Sequence, residues 1–267
     1  MNQIINIKNS DQILEVVKKE GLMIIDDCID LKLLSELQNF WIEFFSKKNI
    51  KAFKSRNIYG YSQTLGDLNF NSLRKEKSVY ILRNKQYLWN RPIHKPTVEI
   101  ANQMNKYRNL TLGLSEDHGF TYSESRQSNF TQVNCYPNQG FYPEHSDLQH
   151  RPSYSDKVLL NCMFNITFRG THFEEGGLFL RINEKKIDID NLIKPGSVIF
   201  YNGNLKHGVD RISSKAEIGR IAGYPSKQFF LNSDYPYYLK FLNQANIAIR
   251  RRLGLSTIAQ GNSSIVR

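Results

Sequence analysis

Apolar positions in the first fifty residues recur at steps of three and four. Ile13, Leu14, Val16 and Val17 form a short stripe after Ser10, which can cap a helix, and Gly21 can close it. Leu31, Leu34, Leu37, Phe40, Trp41, Phe44 and Phe45 form a longer stripe of the same period, the pattern of a core-facing helix. Between them, Leu22-Met23-Ile24-Ile25 is a continuous apolar run and predicts a buried strand. A third helix is predicted from Pro96 to about Leu112, ahead of Gly113. From about Asn129 the period falls to two. Gln132, Asn134 and Tyr136 alternate with Thr131, Val133 and Cys135. In 158–168, Val158, Leu160, Cys162, Phe164, Ile166 and Phe168 oppose Leu159, Asn161, Met163, Asn165 and Thr167. Gly176-Gly177, Pro195-Gly196, Asn202-Gly203 and Gly219 break the remainder into further short strands. Evenly broken strands of this kind predict a jelly roll or barrel rather than a parallel α/β sheet.

Two stretches read differently. Residues 47–95 lack a clear period and mix Lys47, Lys48, Lys51, Lys54, Arg56, Arg74, Arg83 and Arg91 with Tyr59, Tyr61, Tyr80, Tyr87 and Trp89. Long loops with short strands are expected there. Near the other end, Tyr237, Leu239, Phe241, Leu242, Ala245 and Ile249 fit a helix that runs into Arg250-Arg251-Arg252 before Gly254. The Ser- and Asn-containing tail over 255–267 carries little to hold it.

Composition narrows the class. With 267 residues, 40% of them hydrophobic, the chain can build one substantial domain. The net charge of +11 suits anionic partners or an ordinary basic surface. Cys28, Cys135 and Cys162 are odd in number and lack CxxC spacing, which argues against a disulfide framework and fits a reducing cytoplasm. Neither a signal peptide nor a membrane-length apolar run is visible.

The candidate chemistry lies in the β region. His145-Ser146-Asp147 is followed much later by Lys206-His207-Gly208-Val209. Two imidazoles and one carboxylate can hold a single Fe(II) on one face and leave the other face open. Residues two apart project from the same side of a strand, which suits His145 and Asp147 to one metal. An isolated H-x-D is weak evidence; its surroundings strengthen it. Tyr136 and Gly140 precede the motif. Glu175-Gly176-Gly177-Leu178, Pro195-Gly196-Ser197-Val198-Ile199-Phe200, His207-Gly208-Val209 and Gly219-Arg220 follow in order.

That ordered set resembles the Fe(II)- and 2-oxoglutarate-dependent oxygenases, in particular the branch related to prolyl 4-hydroxylases, over about 129–225. The resemblance implies a mainly β fold with flanking helices and a double-stranded β-helix core of the jelly-roll or cupin kind. It implies one oxygenase domain: a helical part over 1–128 with a substrate lid at 47–95, a core over 129–230, and a helix and tail over 231–267. It assigns His145, Asp147 and His207 to Fe(II), with 2-oxoglutarate and dioxygen as cosubstrates. It assigns Arg220 to the far carboxylate of 2-oxoglutarate, a role a buried guanidinium fills by two charge-assisted bonds. Tyr136 can add a third bond, and Asn134 and Asn161 are candidates to orient cosubstrate or substrate. Many relatives carry Ser two positions after the Arg; here Ala222 stands there, so one contact is missing or comes from elsewhere.

The implied reaction is hydroxylation of an unactivated C–H bond, coupled to decarboxylation of 2-oxoglutarate to succinate. Asp147 separates this from related halogenases, which have Ala or Gly there. The basic and aromatic 47–95 segment favours a polar or anionic small-molecule substrate, such as an amino acid derivative or natural-product intermediate. A peptidyl hydroxylase is the alternative. Repair of alkylated nucleic acid ranks third, because Arg211 and Arg220 do not flank an Asn-x-Thr segment. A non-enzyme, cupin-like binding module ranks last. His94, His118, His150 and His172 are expected to be solvent-facing or structural.

Overall fold

Successive strands of the β region alternate between two facing sheets, and that alternation positions the site. The computed structural model describes residues 4–7, 10–47, 63–68, 80–87, 92–120, 127–147 and 159–229. The larger sheet has seven strands in the order β1 (Leu22–Ile25), β9 (Val198–Asn202), β6 (Leu160–Asn165), β11 (Ile218–Phe229), β4 (Gln127–Pro137), β3 (Tyr80–Tyr87) and β2 (Gln63–Leu68). The smaller has four, in the order β5 (Tyr142–His145), β10 (His207–Ser213), β7 (Glu175–Ile182) and β8 (Lys185–Asp188). All neighbours are antiparallel. From β4 to β11 the chain passes large, small, large, then through the β7–β8 hairpin of the small sheet, and again large, small, large. This is the expected double-stranded β-helix.

Period-two patterning produces two cores, one on each face of the large sheet. Val133, Cys135, Leu160, Cys162, Phe164, Val198 and Phe200 face outward, onto the helices. Tyr136, Met163, Ile199, Tyr201 and Ala222 face inward, onto Leu178, Leu180 and Val209 of the small sheet. The helices are α1 (Ile13–Glu20), α2 (Leu31–Ser46) and α3 (Lys95–Thr111). Leu34, Leu37, Trp41 and Phe45 are the buried members of the α2 stripe, and Trp41 Nε1 donates to Thr97 Oγ1 at the start of α3. Asp30 caps α2 by accepting from Lys32 N and Leu33 N.

Several local expectations change. A 3-10 turn over Ser10–Gln12 precedes α1, so the α-helix proper starts at Ile13, and Gly21 closes it in the left-handed region at φ 82°. Leu22–Ile25 is a strand but lies at a sheet edge, where only Ile25 is buried. Leu31, the first residue of its stripe, is exposed. Gly176-Gly177 is not a turn: both residues lie in β7, at φ 81° and 126°, where the register with β10 shifts. Within 47–95, β2 and β3 extend the large sheet beyond β4. The predicted helix over 237–252 and the tail lie outside the described residues.

Candidate metal centre

His145 closes β5 and His207 opens β10, and the two are direct cross-strand partners. Their ring centroids stand 4.3 Å apart. Each ring turns its Nδ1 to the carbonyl two residues earlier, His145 to Pro143 at 3.0 Å and His207 to Leu205 at 2.8 Å. A carbonyl only accepts, so Nδ1 carries the proton in both rings. In the neutral ring this leaves the lone pair on Nε2, the atom a metal would bind.

Asp147 arrives differently from the shared strand face expected of it. The strand ends at His145, and hydrogen bonds place the acid beyond it. Asp147 N donates to Gly203 O at 3.1 Å and Ser146 Oγ donates to Asn204 O at 2.9 Å, both in the turn that leads into His207. The Asp147 carboxylate lies 3.6 Å from His145 Nε2 and 3.9 Å from His207 Nε2. The three ligand atoms fall within 4.8 Å of one another, the sole such cluster of three among the described residues. Two neutral imidazoles and one carboxylate on one side of a shared point suit a divalent transition ion with open positions, Fe(II) among them.

Around the triad lies a cavity of about 820 Å³. Asn161 lines it and donates to Asp147 Oδ2 at 2.7 Å, so this residue orients the carboxylate of the candidate triad. Asn134 lines it too and accepts from Gln132 Nε2 at 2.9 Å. Tyr201 packs its ring 5.5 Å from that of His207. Burial, then the Asp147 charge, pushes the Tyr201 hydroxyl well above the usual phenol range, which keeps it a donor. Tyr136 lines the cavity, and burial likewise keeps its hydroxyl protonated.

Arg220 takes a position the sequence does not announce. It is fully buried and is not among the residues that line the cavity. Its Nε donates to Asp190 Oδ2 at 2.6 Å, one terminal nitrogen to Asn165 Oδ1 at 3.1 Å, and the other to Tyr224 Oη at 3.3 Å. Its guanidinium carbon lies 5.7 Å from the centre of the Tyr136 ring. Tyr136 and Tyr224 therefore stand between this cation and the cavity that both of them line. Two phenols backed by a guanidinium form a donor set that fits a carboxylate, with the tyrosines in direct reach and Arg220 behind.

The other histidines split. His94 is buried: Phe40 stacks on it at 4.2 Å, and its Nδ1 meets Thr97 Oγ1 at 2.8 Å. His172 accepts from Phe168 N, a packing role. His118 lines the cavity. His150 lies outside the described residues. Sequence reasoning passed over Asp190, Asn165, Tyr142, Tyr201 and Tyr224. Only the alternation over 158–168 carried a signal for any of them, and it set Asn165 on the same face as Asn161 and Met163 without a chemical role.

No family model matches the chain, and no curated protein matches it by sequence. Among solved structures it is similar to a prolyl-4-hydroxylase from Pseudomonas putida, with a TM-score of 0.49 and 12% identity, covering 81% of this chain and 97% of that one. A prolyl hydroxylase from Trichoplax adhaerens, solved in complex with a hypoxia inducible factor oxygen degradation domain peptide fragment, gives 0.47 and 14% over 81% and 88%. The non-heme alpha ketoglutarate dependent epimerase of nogalamycin biosynthesis gives 0.49 and 10% over 82% of each chain.

Proposed function

We propose that this protein is an Fe(II)- and 2-oxoglutarate-dependent oxygenase that hydroxylates an unactivated C–H bond of a polar or anionic small molecule. The observation that carries the reading is the convergence of His145, Asp147 and His207, with both Nδ1 atoms committed to backbone carbonyls and both Nε2 atoms aimed at the same acid. Fe(II) held there, with 2-oxoglutarate and dioxygen as cosubstrates, supplies the oxidising chemistry.

The chain's own residues do the rest. Asn161 fixes the Asp147 carboxylate. Tyr136 and Tyr224 present hydroxyls to the far carboxylate of the keto acid, and Arg220 supplies charge from behind them. Leu178 and Val209, from the small sheet, give the cavity an apolar wall that limits water. The Asp147 carboxylate would hold the ion where a halide would otherwise bind, so hydroxylation is favoured.

The direct test is anaerobic addition of Fe(II) and 2-oxoglutarate. The expected result is a weak visible charge-transfer band that requires both additions and is lost in His145→Ala. Admission of oxygen then releases succinate. A protein that binds neither ion nor keto acid overturns the proposal.

A further inference from the structure

On the oxygenase reading above, we propose that Gln132 and Asn134 form an amide-reading subsite, so that the molecule being oxidised carries an amide group. The two residues lie two apart on β4 and so share one face of the strand. Tyr136, of the same alternation, packs into the core between the sheets, whereas Val133 and Cys135 pack outward. Gln132 and Asn134 therefore face inward, and both line the cavity. Phe130 and Tyr136 extend the row at either end and line it as well. That face of β4 thus presents an aromatic ring, two amides, and the phenol assigned above to the keto acid.

Gln132 Nε2 donates to Asn134 Oδ1 at 2.9 Å. That bond leaves the N–H groups of Asn134 and the carbonyl of Gln132 without a partner among the described residues. Asn134 is only 5% exposed, yet its Nδ2 is not sealed in protein and opens to the cavity. Turning both amides over exchanges the two roles and leaves the same complement, one donor and one acceptor side by side. A buried polar group left unanswered costs about 1–3 kcal/mol. A molecule that enters here is therefore selected for answering both.

Neither cosubstrate supplies that match. The keto acid offers two carboxylates and a ketone, acceptors throughout, and dioxygen offers no donor. A carboxylate on the substrate would set its oxygens against the Gln132 carbonyl, and an ammonium would set its hydrogens against the Asn134 N–H groups. A hydroxyl carries both functions on one atom, whereas the two side chains call for them on two. An amide places an N–H and a C=O on neighbouring atoms and answers both. The pair also lies where such a group is useful. Arg83, the cross-strand partner of Asn134, packs its guanidinium carbon 5.0 Å from the centre of the Tyr142 ring, and that ring lies 4.8 Å from the ring of His145. On its other side, Gln132 pairs with Tyr224. The subsite therefore adjoins both the candidate triad and the keto-acid tyrosines, so the oxidised carbon lies a few bonds from the amide. Phe130, at the end of the row away from Tyr136, gives an apolar substituent on that amide a surface to pack on.

The test uses full-length 15N-labelled protein with Zn(II), which accepts the same donor types without redox chemistry, and saturating 2-oxoglutarate. The probes are acetamide and N-methylacetamide, with acetate and methylammonium as controls that offer acceptors alone or donors alone. The side-chain NH2 resonances of Gln132 and Asn134, assigned by their loss in Gln132→Leu and Asn134→Leu, are expected to shift saturably with at least one amide. Their ranking separates a primary carboxamide from a peptide-type amide. Both controls should need about tenfold higher concentrations. In Gln132→Leu, a change at a half-buried position, the half-saturating concentration of the amide should rise about tenfold and that of 2-oxoglutarate should stay unchanged. Circular dichroism confirms that the variants fold. Resonances unmoved by either amide, or moved equally by acetate, overturn the proposal, as does a 2-oxoglutarate requirement that rises in step with that of the amide. If the amides bind but 2-oxoglutarate does not, the subsite stands and the oxygenase reading falls.

Discussion

The Nε of Arg220 donates to Oδ2 of Asp190 across 2.6 Å, with both side chains sealed from solvent. Asp190 also accepts from Leu178 N and from Asn165 Nδ2, and Asn165 returns its carbonyl to Arg220. Burial works against the guanidinium charge, but the Asp190 carboxylate, with Tyr224 and Tyr136 beside it, more than compensates, so Arg220 holds its proton even more firmly than usual. Asp190→Asn leaves that cation without its counter-charge. The expected cost is about 3–5 kcal/mol in denaturant unfolding, the range for a buried pair that loses one partner. The half-saturating concentration of 2-oxoglutarate is expected to rise, with a smaller change in the maximal rate. Arg220→Ala should act in the same sense on 2-oxoglutarate. An Asp190→Asn protein with unchanged stability would contradict this account.

Removal of either imidazole should abolish metal binding. In His145→Ala and His207→Ala, Fe(II) binding by calorimetry and succinate release should both vanish, and Asp147→Gly should lose hydroxylated product. Asn161→Ala is subtler. It leaves all three ligands in place but frees the Asp147 carboxylate, so Fe(II) affinity should fall about 10–100-fold, as for other outer-sphere partners of metal ligands. Unaltered affinity in Asn161→Ala would remove its orienting role.

The fold should weaken in mild acid. Burial holds the His94 imidazole below its ordinary value of 6.5, against the opposing pull of Glu36. His172 is lowered by burial as well. A histidine whose folded value is depressed favours the neutral form. Its contribution is complete above pH 6.5 and is lost as pH falls below 6.5 toward the folded value. Chemical denaturation from pH 7.5 to 5 should therefore show stability declining below 6.5. His94→Phe, which keeps a ring against Phe40, should flatten part of that slope, the remainder belonging to His172. A slope identical to wild type would exclude His94 as its source.

Gly177→Ala should be costly despite its small size. Gly177 has φ 126°, and a Cβ there would run into the Asp190 carboxylate. The strain alone costs about 1–3 kcal/mol, and displacement of Asp190 should raise the 2-oxoglutarate requirement as well. Thermal unfolding and a keto-acid titration of the same sample check both effects.

The parts legible in the sequence are those set by local periodicity. Thr131, Val133 and Cys135 were readable as one face of β4 because the strand is buried on one side by helices and on the other by the cavity. The α2 stripe was readable for the same reason, apart from Leu31, whose exposure depends on where the neighbouring elements end. The clustering of His145, Asp147 and His207 was legible through spacing and context, but not the means of its assembly. Asp147 is placed by backbone bonds to residues 203 and 204, and no period encodes a contact over that separation. Asp190 gave no sign at all, since one acid in an Ile-Asp-Asn stretch looks like a surface turn. Gly176-Gly177 looked like a turn for a related reason: composition reports the need for positive φ but not whether a bend or an irregular strand supplies it.

The staple between Ser146-Asp147 and the turn at 203–204 has a further consequence. Because the acid is bonded to the turn that leads into the distal imidazole, the fold itself holds the donors of the candidate triad together. A metal ion bound there would order no further segment and spend little conformational entropy. Loss of the ion should leave an intact, reloadable protein rather than an unravelled one.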